Sequence, residues 1–141
     1  MKVFIAQFAK KGDFSEIKAL KRFSDLVTVE QFGLGRFIDL KPTDEDIAAA
    51  QQGLDRVKEI LASGDFQVVI LDEANVAVLL KLISAEDLAE VIRVKPPAVE
   101  LVITGRGAVP QILELADLVS DIKAVKHYFQ NGIRARVGIE K

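Results

Sequence analysis

Gln67-Val68-Val69-Ile70-Leu71-Asp72-Glu73 is an apolar run that ends in two adjacent carboxylates. Four hydrophobic residues in a row bury both faces of a strand, as in a parallel sheet covered on each side. An acid pair where that strand leaves the sheet puts negative charge at the carboxyl edge, where open α/β folds bind ligands. Two readings of Asp72 and Glu73 stay open. They are Mg²⁺ carboxylates of a nucleotide site, one taking the hydrated metal while the other orients or deprotonates the attacking group, or they are acids favoured before a helix by its dipole. The usual companion of the first reading, G-x-x-x-x-G-K-[ST], does not occur in the 141 residues.

Outward from this strand, the pattern alternates strands with helices. Val3 to Phe8 reads as a buried strand, followed by a helix from Phe14 to Phe23 with Asp13 as N-cap and Glu16 completing a capping box. Leu26 to Phe32 reads as a second strand, and Gly33 to Pro42 as a loop. Thr43 caps a long helix that runs to Gly64, with Ile47, Leu54, Val57, Ile60 and Leu61 on one face. After the acid-ended strand come a short helical stretch near Val76 to Leu82 and a helix capped by Ser84 and Asp87. Val99 to Thr104 forms a strand, Pro110 opens another helix, and Leu118 to Lys126 reads as a last buried strand. Beyond His127 an alternating tail predicts an edge ribbon. Such alternation predicts an α/β fold, a mainly parallel sheet with helices on both faces, as a single domain over residues 1–141.

Composition narrows the function. The chain is 50% hydrophobic and 28% charged, with apolar runs far shorter than the ~20 residues of a membrane span, so no membrane is expected. The first residues are too short and too soon followed by Lys10 and Lys11 for a signal peptide, which predicts a cytoplasmic protein. With no cysteine and one histidine, any metal is held by oxygen. A net charge of -2 gives no footprint for nucleic acid.

Several segments in order resemble one family, the ATP:corrinoid adenosyltransferases, which transfer the 5′-deoxyadenosyl group of ATP to the cobalt of reduced corrinoids. They are Val68 to Asn75, Leu101-Val102-Ile103-Thr104-Gly105-Arg106-Gly107-Ala108, Ala116-Asp117-Leu118-Val119, Val125-Lys126-His127, and Gly132-Ile133 with Gly138-Ile139-Glu140. No single piece is specific, but the order and spacing are, and the resemblance runs from about Lys2 to the end. It implies a P-loop nucleoside triphosphatase (RecA-like) core lacking its first strand and phosphate loop, which would precede Met1. Truncation and a natural paralogue both account for that. Without its first strand the sheet must close up or borrow a strand, and open edges predict a homodimer.

The resemblance also implies roles. Asp72 and Glu73 correspond to the Mg²⁺ carboxylates. Thr104, Gly105, Arg106 and Gly107 would meet ATP or corrinoid; the bland reading is a glycine turn with a solvated arginine. Asn75 would position a substrate group or cap a helix. Family members often carry Gly-Phe-x-Trp against the corrinoid; here Arg36 and Ile38 fall at those positions, with Phe37 one residue away. Lys126 and His127 resemble an element near the active site, against a purely structural histidine. Lys10, Lys11, Lys18, Lys21 and Arg22 read as a solvated face or a contact for an acidic partner. Two functions follow: an ATP:corrinoid adenosyltransferase or a truncated one inactive alone, with ATP and corrinoid as substrates and Mg²⁺ as cofactor, or a non-catalytic corrinoid-binding or subunit-interaction paralogue.

Overall fold

The computed structural model describes residues 1–36, 38 and 41–139. Four strands, β1 (Val3–Phe8), β2 (Val27–Phe32), β3 (Val68–Asp72) and β4 (Glu100–Ile103), form one sheet in the order β2-β1-β3-β4, parallel throughout. The helices are α1 (Ser15–Leu20, continued by a 3-10 turn at Lys21–Phe23), α2 (Asp44–Ser63), α3 (Ala74–Leu79), α4 (Ala85–Val94) and α5 (Pro110–Leu115). Every crossover thus carries a helix, as parallel pairing requires. β1 pairs directly with β3 from Val3↔Val68 to Gln7↔Asp72, with no gap between these strands.

Period-two alternation divides the sheet into two unlike faces. Phe4, Ala6, Phe8, Val69 and Leu71 are fully buried on one, against Ala50, Leu54 and Val57 of α2 and Leu88 and Val91 of α4. Gly53 lets α2 lie flush there, because a Cβ at this position would stand 2.7 Å from Phe32 Cγ and 2.9 Å from Phe8 Cε1. The register puts Val3, Ile5 and Gln7, Val27, Val29 and Gln31, Val68, Ile70 and Asp72, and Glu100 and Val102 on the opposite face. Most of these are only half-buried, and α1, which packs along β2, buries none of its own residues.

The caps at Thr43 and Ser84 form as expected, each a reciprocal box with the aspartate three residues on, and Gly64 closes α2 at φ 72°. The expected cap at Asp13 does not. Phe14 is the N-cap of α1, and Asp13 pairs instead with Lys18 and Lys21, which take its oxygens at 3.6 and 3.3 Å. Leu118 to Lys126 is irregular rather than a buried strand, with Leu118, Ile122 and Val125 almost wholly exposed. A strand exists only where a neighbour's backbone receives it, and among the described residues nothing pairs with the outer edge of β4. The tail, expected as an edge ribbon, has a 3-10 turn at Tyr128–Asn131. Among the described residues no helix is long and apolar enough to cross a membrane.

Candidate functional site

The carboxyl ends of the four parallel strands deliver Lys10, Arg36, Asp72 with Glu73, and Thr104 to Gly107 to one edge of the sheet. Because Gln31, Gln7 and Asp72 occupy matched positions on neighbouring strands, their side chains lie on the same face. They bond in series. Gly12 N–H donates to Gln31 Oε1 at 3.1 Å, Gln31 Nε2 donates to Gln7 Oε1 at 2.9 Å, and Gln7 Nε2 donates to Asp72 Oδ2 at 3.1 Å. From the other side the Thr104 hydroxyl donates to Asp72 Oδ1 at 2.9 Å and accepts from Glu73 N–H at 3.1 Å. Lys10 Nζ stands 3.5 Å from Asp72 Oδ2.

Glu73 leaves this row. It sits in the left-handed region at φ 61° as the N-cap residue of α3, and it lines a cavity of about 450 Å³ that Asp72 does not. Phe8, Ile38, Val76, Leu79 and Leu80 form the apolar wall, with Lys10, Arg36, Arg106 and Glu73 as charged groups. Lys10 is common to the cavity and to the Asp72 cluster. The two adjacent acids therefore serve different sides of the edge.

Arg36 is held by the start of α2. Its guanidinium donates to Asp46 and, at 2.9 Å, to Thr43 Oγ1. Asp46 is buried. Burial pushes its carboxyl pKa up, yet the backbone N–H and hydroxyl of Thr43 and the charge of Arg36 outweigh that and hold it below the ordinary carboxylate range.

Asn75 does not cap α3. Its Nδ2 donates to Gly105 O at 3.3 Å and its N–H to Thr104 O at 3.1 Å, tying α3 to the loop after β4, while its buried Oδ1 has no partner among the described residues. Gly105, at φ 112°, lies so close that a Cβ would meet Val76 N at 3.1 Å. Gly107 rests on Leu79 in the same way. Phe37 lies outside the described residues. His127 is exposed, and its Nδ1 accepts from Phe129 N–H at 3.0 Å, a local turn contact.

Gln7, Gln31 and the tie of Lys10 to Asp72 were not singled out from the sequence. One signal was present, a lone amide within the apolar strand Val-Phe-Ile-Ala-Gln-Phe, since a polar residue there needs a partner. Hard oxygen donors suit Mg²⁺, which takes one or two carboxylates and completes its shell with water and substrate phosphates. Asp72 fits as such a carboxylate: its two oxygens accept fixed donors and keep lone pairs for a hydrated ion. No group of three or more His, Cys, Asp or Glu stands together among the described residues.

A parallel α/β sheet with a polar cluster and a cavity at its carboxyl edge places the chain among open-sheet α/β proteins, whose ligands bind at that edge. Residues 1–140 match the family described as ATP:corrinoid adenosyltransferase BtuR/CobO/CobP, and the chain belongs to that family. It is 33% identical over 141 residues to the corrinoid adenosyltransferase of Pseudomonas aeruginosa, covering 99% of this chain and 70% of that one. It is 34% identical over 102 residues to the corrinoid adenosyltransferase of Escherichia coli K12, covering 72% of this chain and 52% of the relative. An uncharacterized Nostoc protein is 35% identical over 133 residues, 89% of this chain and 35% of its own. The chain thus spans about half the length of the Escherichia coli relative.

Proposed function

We propose that this chain forms the acid-bearing part of a corrinoid adenosyltransferase, in which the cobalt of a reduced corrinoid attacks the 5′ carbon of ATP. The C5′–O bond breaks and its electron pair leaves with the triphosphate, while a cobalt–carbon bond forms. One observation carries the reading: in a chain of this family, Asp72 is fixed at the sheet edge and tied through Lys10 to a cavity lined by apolar and charged side chains.

The chain's own residues bind and orient. Asp72 presents a fixed oxygen pair for Mg²⁺, with Glu73 on the cavity side. Mg²⁺ held there supplies charge neutralisation for the triphosphate. Lys10 and Arg106 offer charge-assisted hydrogen bonds to phosphate or carboxylate groups. Thr104, Gly105, Gly107 and Asn75 shape the loop that carries Arg106. Ile38, with Phe37 beside it in sequence, belongs to the wall that takes the apolar face of the corrinoid. Catalysis then rests on positioning and electrostatics, with no covalent enzyme intermediate. The same reading makes residues 1–141 one domain of a cytoplasmic homodimer.

The test is calorimetric titration of the purified chain with MgATP, repeated on Asp72→Asn. Micromolar binding that the variant loses is expected. No heat with the native chain would remove catalysis by this chain alone and leave a corrinoid-binding or subunit-interaction role.

A further inference from the structure

Gln7 is an expensive residue where it stands. It is 3% exposed in the second strand of the sheet by position, flanked by Ala6 and Phe8, both fully buried. A buried amide costs free energy unless its donors and acceptor are met, and Val3 and Ile5 show that aliphatic side chains fit the same face. Both ends of the Gln7 amide are used, and the polarity runs one way. Donation passes from Gly12 N–H through the side chains of Gln31 and Gln7 and ends on Asp72 Oδ2. The Thr104 hydroxyl donates to the other oxygen. A carboxylate that receives donors at both oxygens has one orientation, and the chain of amides has no direction in which Asp72 could donate instead.

We infer that Gln7 and Gln31 are positioning residues: they hold Asp72 in a single orientation at the sheet edge and connect it to the loop after β1 at Gly12. The functional consequence rests on the reading of Asp72 as the carboxylate of the proposed site. Lys10 lies in the same loop, two residues before Gly12, and pairs with Asp72 Oδ2, so the amide chain and the ion pair fix this loop to the acid from two sides. Outer partners of this kind, which aim a ligand without touching the metal, typically matter about 10- to 100-fold in metal affinity.

Two measurements on the full chain separate this inference from the proposed function. In the first, ¹⁵N spectra record the side-chain amides of Gln7 and Gln31 and the backbone amide of Gly12. Asp72→Asn should shift all three and leave the Gln111 side chain unmoved. Unchanged Gln31 and Gly12 signals would overturn the relay, whether or not the chain binds metal. The second follows Mn²⁺ with ATP by electron paramagnetic resonance in the native chain, in Gln7→Leu and in the less buried Gln31→Leu. Weaker Mn²⁺ retention by about tenfold or more is expected for Gln7→Leu, with a smaller loss for Gln31→Leu. Retention within twofold of native in both variants would overturn the positioning role. If the native chain retains no Mn²⁺, the proposed metal site fails, and the amide shifts alone decide the relay.

Discussion

Asp46 is a buried charge made tolerable by its neighbours. Thr43 meets it with backbone N–H and hydroxyl at 2.8 Å each, and Arg36 adds a guanidinium that is itself partly exposed. Because its pKa is lowered in the fold, its contribution to stability is fully present above the ordinary aspartate value of about 3.9 and is lost as pH falls through the lowered value. Asp46→Asn should therefore reduce stability by about 1–3 kcal/mol at pH 7 and flatten the acid limb of the stability curve. Urea midpoints between pH 7 and pH 3 check both. Equal acid limbs in variant and native chain would show that other carboxylates carry the dependence. The sequence made the Thr43 cap legible, because a threonine before three acids is a local pattern. It did not make legible that Arg36, at a position the resemblance assigned to corrinoid contact, would be held by the same aspartate.

At the scale of elements, α2 decides how the sheet is covered. Its twenty residues are bounded by a reciprocal cap and a left-handed glycine, and both ends could be read from residue types alone. Gly53 could not, since nothing local marks a glycine in mid-helix as a packing site. Alanine there gains helix propensity of about 1 kcal/mol. Its methyl, however, must displace Phe32, with the nearest ring carbon at 2.7 Å, and overpacking typically costs about 1–3 kcal/mol. Gly53→Ala is expected to destabilise on balance, read as a lower urea midpoint. A rise would mean that α2 stands off the sheet. Leu118 to Lys126 failed as a strand for the complementary reason: its apolar spacing is intrinsic, but a strand is a pairing, and the described residues offer no partner.

The whole molecule exposes 9576 Å², about a third more than the ~7,200 Å² expected of a folded monomer of 15.5 kDa. Apolar groups without cover include Leu118, Ile122, Val125, Phe129 and Val137 in the tail, and Val102 with its half-buried neighbours on the open sheet face. Burying such an excess in each of two chains falls within the range of obligate dimers, about 2,000–5,000 Å² in total. Sedimentation equilibrium should give the mass of a homodimer at micromolar concentration, shifting toward monomer in an Ile122→Asp, Phe129→Asp double variant. A native chain that stays monomeric throughout would remove the homodimer from the proposed function.

The sequence by itself determined the alternation of strands and helices, the caps of α2 and α4, the acid-ended strand and the family, because each depends on neighbours in the chain or on their order. Only the tertiary structure decided that Asp72 and Glu73 part company, that Gln7 and Gln31 serve Asp72, and that Lys10 joins the acid to the cavity. Those relations are made between strands up to 65 residues apart, through sheet register and side-chain direction. A linear pattern specifies which face a residue takes, but its partner across the sheet is set by which strands lie side by side.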